Sequence, residues 1–203
     1  MQEFNEEIKG EGERDDSRLH WVGRELWEVG KVLLVSLAIV LPIRYFIVQP
    51  FIVRGASMEP NFEDREYLIV DELSYILRDP RRGESIVFRY PRDPRQFFIK
   101  RIISLPGEQV EVKNGRVIIV NDEYPKGFTL EEPYLNPPDR TTQPDFAVSL
   151  GEGEYFVLGD NRDSSSDSRV WGKLEREYII GKVIFRAWPL DKVGIIPSYS
   201  LYR

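Results

Sequence analysis

The sequence predicts a mainly β fold, in which antiparallel sheets form a partly closed β-barrel or sandwich, preceded by one N-terminal transmembrane helix. Three observations predict this fold: a single apolar stretch near the N-terminus, short strand-like segments from about residue 51 onward, and the turn residues that separate them. The chain has 203 residues, of which 41% are hydrophobic, and can therefore bury a core of ordinary size for one domain.

The N-terminus is predicted to be a cytoplasmic tail over residues 1–24. Acidic residues outnumber basic ones in this segment and apolar residues are few, which is typical of a solvated, disordered stretch. The only histidine of the chain, His20, lies here. The tail is therefore expected to contribute little to a functional site.

A membrane anchor helix is predicted over residues 25–48. Its centre, residues 32–43, is uncharged but spans only about 18 Å as a helix, against about 30 Å of hydrocarbon in a bilayer. The span becomes long enough if the flanking charges of Glu28, Lys31 and Arg44 reach back to the lipid headgroups. The segment is thus predicted to cross the membrane once.

Two other interpretations of this apolar run are considered. A cleaved signal peptide has a run of similar length, but the residues that follow this one, at positions 44–49, are too bulky for a cleavage site of the Ala-x-Ala type. An uncleaved anchor is the better interpretation. A helix buried in a protein core remains the alternative.

The remaining residues, 49–203, are predicted to form one extracytoplasmic β-rich domain. The clearest signal is the alternating segment 110–120, in which Asn114 and Gly115 suit a two-residue hairpin turn. Residues 131–145 are rich in proline and are predicted to be a loop. Five further strands are predicted at Glu66 to Val70, Ser85 to Tyr90, Phe97 to Ser104, Glu154 to Leu158 and Ile179 to Trp188.

Charge and composition exclude several classes of function. The formal net charge is −6 and the isoelectric point is near 5.1, which argues against a nucleic-acid-binding protein, because such proteins favour a basic face. The chain has no cysteine, which excludes disulfides and thiolate zinc sites.

Lys100 is the best available general base if the chain is a hydrolase. A serine, histidine and carboxylate triad is hard to build, because the only histidine precedes the predicted anchor. On the predicted strand Lys100 shares a face with Phe98 and Ile102, and an apolar environment disfavours the ammonium form. Lowering the lysine pKa from about 10.4 to about 8 requires roughly 3 kcal/mol. The alternative is a lysine at a sheet edge with its head group in water.

Ser57 is the candidate nucleophile. It lies among Gly55, Ala56 and Pro60, small and turn-forming residues that allow a substrate backbone to come close. The segment does not match the Gly-x-Ser-x-Gly elbow, since Glu59 occupies the position of the last glycine. An ordinary turn serine is the alternative.

The polar segment 159–169 follows an apolar predicted strand and is expected to be a structured loop. Its carboxylates suggest calcium, but the ligand spacing of an EF-hand is missing and Arg162 lies inside the segment, so no metal site is predicted. A loop held by bonds between carboxylates and arginines, presenting a hydroxyl to a neighbouring lysine, is physically more coherent.

The order of these motifs along the chain resembles that of the bacterial type I signal peptidases, also called leader peptidases. Agreement runs from about residue 30 to residue 190. The motifs that carry it follow the apolar anchor as Gln49 to Val53, Ser57 to Pro60, Arg82 to Phe88, Ile99 to Glu108, and Gly159 to Arg169 with Trp171 and Gly172.

The resemblance implies a catalytic role for Ser57 as nucleophile and for Lys100 as general base, in a serine and lysine dyad. Ser165 matches the family's serine that orients the lysine. The backbone amide of Ser57 is expected to help form the oxyanion hole. The resemblance also assigns supporting roles in bracing the site to Asp160, Asn161, Arg162, Asp167 and Arg169.

The implied function is that of a membrane-bound serine endopeptidase that removes N-terminal signal peptides from exported preproteins, cutting after small residues at an Ala-x-Ala site. Neither metal nor cofactor is required. The expected partners are signal peptides and the lipid bilayer, with no nucleic acid, and the protein is expected to be a monomer. It is placed in the cell membrane with a single pass and the catalytic domain on the extracytoplasmic side. The substrate-binding candidates are Phe51, Val53, Met58, Phe98 and Ile99.

Departures from the family pattern leave the dyad in place. Gly55 stands where some members have a serine whose hydroxyl completes the oxyanion hole, and Asn61, Glu84 and Ser104 replace other common residues. Two alternative functions are weighed. A self-cleaving repressor-type serine and lysine peptidase would need a DNA-binding domain, and a non-catalytic membrane-anchored β-rich binding module would make Ser57 and Lys100 incidental.

Overall fold

The computed structural model describes residues 24, 26–38, 48–137 and 142–197. The chain divides into two compact units, Met1–Tyr45 and Phe46–Arg203. The predicted tail up to residue 23, with His20, and residues 39–47 of the predicted anchor lie outside the described residues.

The first unit contains one described helix, α1, over residues 26–38. Its large apolar side chains are all well exposed, from 55% for Val29 and Val35 to 70% for Leu34. In the parts of the chain that the structure describes, no helix combines the length and the apolar character needed to cross a membrane.

The second unit consists of two antiparallel sheets with a few short helices. The larger sheet has eight strands in the order β1-β2-β11-β3-β4-β9-β10, with β12 also paired to β11, and the smaller has the order β7-β6-β5-β8. The elements in chain order are β1 (Val48–Ile52), β2 (Tyr67–Asp71), α2 (Ser74–Leu77), β3 (Ser85–Tyr90), β4 (Asp93–Ser104), β5 (Gln109–Lys113), β6 (Arg116–Val120), β7 (Phe128–Thr129), β8 (Phe146–Ser149), β9 (Glu154–Leu158), α3 (Ser168–Trp171), β10 (Leu174–Glu175), β11 (Ile179–Trp188) and β12 (Gly194–Ile195).

The predicted antiparallel, mainly β architecture is confirmed. The hairpin of β5 and β6 turns at Asn114 and Gly115, whose φ angles of 51° and 76° suit a two-residue turn with two left-handed residues. Strand β4 begins at Asp93, four residues before the predicted start at Phe97, because it continues the hairpin with β3. The larger sheet ends at β1 and β10 and is not a closed barrel, so the partly closed arrangement stays a prediction.

Buried side chains fix the position of the segment that carries Ser57. Met58, in the turn that follows β1, and Phe62, just after it, are 0% and 1% exposed and belong to a core shared with Leu68, Val70 and Val87. Burying side chains of this size contributes about 2 kcal/mol each. The turn is therefore held against β2 and β3, next to β4.

Candidate active site

Ser57 and Lys100 meet at β4, an interior strand of the larger sheet that pairs with β3 and β9. The Lys100 Nζ atom lies 2.7 Å from Ser57 Oγ and 2.8 Å from the carbonyl oxygen of Ile99. Strand β4 positions Lys100, and the turn after β1 positions Ser57. The structure thus brings together the two residues for which the sequence predicts catalytic roles.

The amino group of Lys100 is buried. The residue is 3% exposed, so the alternative of a sheet-edge lysine with its head group in water is wrong. Burial lowers the pKa of Lys100 from 10.5 to about 8, although the charges of Asp167 and Asp160 favour the ammonium form. The Phe98 ring, 5.4 Å from Nζ, forms part of the apolar surroundings. A substantial fraction of Lys100 is therefore neutral near pH 8.

The turn that carries Ser57 is held on both sides by hydrogen bonds. Asn161 donates from its backbone amide to the Ser57 carbonyl at 3.1 Å and from its side chain to the Ala56 carbonyl at 3.0 Å. Gly55, at a φ of +85°, donates its amide to Asp64 Oδ1 at 2.8 Å. The role of Asp64 in holding this turn could not be predicted from the sequence, because no local motif links Asp64 to Ser57.

The loop after β9 packs directly against this turn. A Cβ atom on Gly159 would lie 2.4 Å from the Ser57 carbonyl oxygen and 2.2 Å from Ser165 Oγ, so only glycine fits here. The Gly159 amide donates to Asp167 Oδ2 at 3.0 Å. The conformation of the loop and the position of Ser57 therefore depend on each other.

Asp167 and Arg169 form a buried ion pair beneath this loop. The Arg169 guanidinium donates to both carboxylate oxygens of Asp167, each at 2.8 Å. Burial raises the pKa of Asp167, but the hydrogen bonds and charge of Arg169 outweigh it and hold this pKa below its usual range. Asp167 is thus an anion with its own partner.

Asp160 forms a second buried ion pair, with Arg101. The Arg101 guanidinium donates through Nε to Oδ1 at 2.8 Å and through Nη2 to Oδ2 at 2.6 Å, a bidentate arrangement. Asn61 Nδ2 donates to Oδ2 of Asp160 at 2.9 Å. The sequence motifs assign no separate role to Arg101. A signal for one was present, since a charged residue at a buried strand position requires a partner for its charge.

Ser165 lies beside the site but does not contact Lys100 in the expected way. Its Oγ atom is buried, and among the described residues no group meets it in hydrogen-bond geometry. It is close enough to the Asp167 carboxylate to help hold the pKa of that group down. Of its neighbours, Ser164 is exposed and Ser166 faces the substrate groove. The role of Ser165 in orienting the lysine stays a prediction.

A groove of about 730 Å³ opens onto Ser57 and Lys100. Phe97, absent from the sequence-predicted set, also lines it and packs edge-on against Phe51 at 5.5 Å between ring centroids. Met58 does not line the groove, because its side chain points into the core and is 0% exposed. The other predicted substrate-binding residues, Phe51, Val53, Phe98 and Ile99, all do.

This arrangement suits acyl transfer. A hydroxyl in contact with an amine whose pKa is lowered to about 8 can be activated as a nucleophile, and an apolar groove positions a substrate next to it. Within the described residues no cluster of histidine and carboxylate side chains is suited to a metal ion.

The family model for signal peptidases, peptidase S26, matches residues 26–188. A probable signal peptidase I-1 of Synechocystis sp. is 39% identical over 176 residues, which cover 83% of this chain and 86% of the relative. Signal peptidase I of Leptolyngbya laminosa is 38% identical over 185 residues, with 86% and 87% covered. The crystal structure of a signal peptidase I from Enterococcus faecalis V583 aligns with a TM-score of 0.45 and 33% identity, over 52% of this chain and 97% of that one.

Proposed function

Because this chain belongs to the signal peptidase family, peptidase S26, we propose that it removes signal peptides from exported preproteins with Ser57 as nucleophile and Lys100 as general base. The observation that carries the proposal is the 2.7 Å contact between Lys100 Nζ and Ser57 Oγ. Support also comes from the burial that lowers the pKa of Lys100 to about 8. These two properties are what a lysine needs to act as a base near neutral pH.

Catalysis begins when neutral Lys100 takes the proton of Ser57 and Oγ attacks the scissile carbonyl carbon. The tetrahedral intermediate collapses as Lys100 returns the proton to the leaving amine, which leaves an acyl group on Ser57. The neutral lysine then activates a water that hydrolyses this ester. Each half of the reaction therefore returns Lys100 to the form in which it started.

The oxyanion that forms in both halves is stabilised by the backbone amide of Ser57. Gly55 does not supply a second donor, because its own amide is bonded to Asp64 at 2.8 Å. The hydrogen bond from Asn161 to the Ser57 carbonyl, at 3.1 Å, supports the orientation of this peptide unit.

The substrate is a preprotein with small residues at P1 and P3. Phe51, Val53, Phe98 and Ile99 line the groove beside Ser57, which supports shallow apolar pockets that accept alanine. Ser165, Asp160, Asn161, Asp167 and Arg169 position the dyad. The protein acts as a monomer.

The enzyme works at the cell membrane. Residues 25–48 form the anchor, residues 1–24 lie in the cytoplasm and residues 49–203 lie outside. Support comes from the apolar side chains of α1, of which Leu34 is 70% exposed and which would be covered by lipid in a membrane. Cleavage then occurs where a signal peptide leaves the bilayer.

The test is cleavage of a preprotein with an Ala-x-Ala site in detergent, with product mass locating the cut. Wild type is compared with Ser57→Ala and Lys100→Met. Cleavage after the final alanine by wild type alone supports the proposal. Equal cleavage by the Ser57→Ala variant excludes this nucleophile, and no cleavage by folded wild type favours a binding module.

A further inference from the structure

Tyr134 connects the core of the smaller sheet to the catalytic region. It lies between β7 and β8, is 3% exposed, and belongs to the core that contains Val112 and Ile119. The face of its ring lies against Arg101, with the guanidinium carbon 4.1 Å from the ring centroid. A stacked guanidinium is held in orientation as well as in position.

The backbone of Tyr134 supports the same ion pair from a second direction. Its carbonyl oxygen accepts a hydrogen bond from Asn61 Nδ2 at 2.7 Å, and this nitrogen lies 2.9 Å from Asp160 Oδ2. Within the described residues, Arg101 and Asn61 therefore each contact both the Asp160 carboxylate and Tyr134.

The hydroxyl of Tyr134 is tied to the loop beside Ser57. It donates to Glu132 Oε1 at 2.8 Å, and Glu132 pairs with the buried guanidinium of Arg162. Arg162 Nε in turn donates to the Gly159 carbonyl at 3.0 Å. Burial raises the pKa of Tyr134 well above its usual value, so the hydroxyl remains a donor throughout the working range.

The charges around Lys100 are arranged in neutralised pairs. Its pKa responds to two carboxylates, Asp167 and Asp160, which both favour the ammonium form. Asp167 is paired with Arg169 and Asp160 with Arg101, while the third buried guanidinium of this region, that of Arg162, is paired with Glu132. A loosened guanidinium would leave more negative charge acting on Lys100.

We propose that Tyr134 is a positioning residue for the dyad, whose ring holds the Arg101 guanidinium against Asp160 so that less of the carboxylate's negative charge acts on Lys100. This inference rests on the proposed function of Ser57 and Lys100. It differs from a packing role because it predicts a change in the pH dependence of the reaction.

The test is the pH dependence of kcat/KM for preprotein cleavage by Tyr134→Leu. Without the ring, the Arg101 guanidinium is no longer held against Asp160, and the ammonium form of Lys100 becomes more stable. The acid limb of the profile, where kcat/KM falls because Lys100 is protonated, should therefore move to higher pH by at least about half a unit. Activity at pH 7.5 then falls about threefold relative to wild type and is recovered at pH 10, where Lys100 is neutral in both proteins.

Two matched variants separate the ring from other effects. Tyr134→Phe keeps the ring and loses only the hydroxyl, so its acid limb should stay within about 0.2 units of wild type. Tyr155→Leu removes a tyrosine that is 2% exposed but lies in a different core, with Trp171 and Leu174, and should leave the limb unchanged. If Tyr134→Leu fails to fold, Tyr134→Met replaces it and should give the same shift, since a flexible thioether offers no ring face.

The inference is overturned if the acid limb of Tyr134→Leu or Tyr134→Met coincides with that of wild type. It is also overturned if the limb of Tyr155→Leu shifts by the same amount as that of Tyr134→Leu. Ser57→Ala in the same assay distinguishes this from failure of the proposed function. Cleavage by Ser57→Ala would exclude the assignment of Ser57 and Lys100 as the catalytic dyad. If Ser57→Ala is inactive and the acid limbs of Tyr134→Leu and wild type coincide, only the proposed role of Tyr134 is excluded.

Discussion

Lys100 and Arg101 are consecutive residues of β4 that are 3% and 1% exposed. Of these two, only Arg101 forms an ion pair with another described residue. Because they alternate across the sheet, Arg101 takes the carboxylate of Asp160 while Lys100 faces Ser57 and the apolar groove. The pairing of one cation leaves the other desolvated. This division of roles is what lowers the pKa of Lys100.

Replacing the buried lysine should stabilise the protein. The folded pKa of Lys100, about 8, lies below its ordinary 10.5, so the unfolded state binds more protons between these values and wild-type stability rises with pH across them. Lys100→Met should therefore raise the free energy of unfolding by about 2 to 3 kcal/mol at pH 7, and by much less at pH 10. Urea unfolding at both pH values measures this. Lys113→Met, at an exposed position of β5, is the control, and an equal gain at both pH values would exclude the explanation.

Gly159→Ala should disable the site. The added methyl group collides with the Ser57 carbonyl oxygen at 2.4 Å, so the Ser57 turn or the loop must move. A displacement of about 1 Å costs on the order of 100-fold in kcat. Single-turnover cleavage rates measure the loss. Gly194→Ala, where a Cβ has no neighbour within 4 Å, should retain wild-type rates, and comparable losses in both variants would refute the steric account.

Asp160→Asn should destabilise the domain strongly. The change leaves the Arg101 guanidinium buried with a neutral partner, and breaking a buried pair in this way costs about 3 to 5 kcal/mol. Denaturant unfolding measures it. Asp93→Asn breaks the pair with the 90% exposed side chain of Arg95 and should lower the free energy of unfolding far less than Asp160→Asn does. Similar losses for the two variants would mean that burial does not decide the strength of these pairs.

Ile99→Ala should widen substrate tolerance. The side chain lines the groove beside Ser57, and its truncation opens space for a larger P1 residue. The ratio of kcat/KM for a valine over an alanine at P1 should rise about tenfold. Ile118→Ala, in the smaller sheet, is the matched control. An unchanged ratio in Ile99→Ala would place the P1 pocket elsewhere; Val53→Ala then becomes the next variant to compare.

The strands and the Asn114-Gly115 hairpin could be predicted because their alternation and turn residues are local in the sequence. Ser57 and Lys100 could be named because the chain lacks cysteine and because their motifs resemble a known family. Local patterns also placed both residues next to apolar positions. What the patterns left open was whether the amino group of Lys100 is buried.

Other features depend on contacts between distant segments and could not be predicted. Tyr134 reaches Arg101 only because the two sheets pack together, and Asp64 reaches Gly55 because the connection between β1 and β2 folds back on itself. Met58 was predicted to bind substrate because it is apolar and follows Ser57, but the direction of its side chain depends on the turn. The bulk of Phe62 and Met58 is needed to fill the core beneath that turn.

The pH dependence of wild-type kcat/KM for preprotein cleavage tests the central claim most directly. Only the neutral form of Lys100 accepts the Ser57 proton, so kcat/KM should rise with pH through an apparent pKa near 8 and then level off. An acid limb near the ordinary lysine value of 10.5, or a rate that does not change between pH 6 and pH 10, would contradict the assignment of Lys100 as a buried general base.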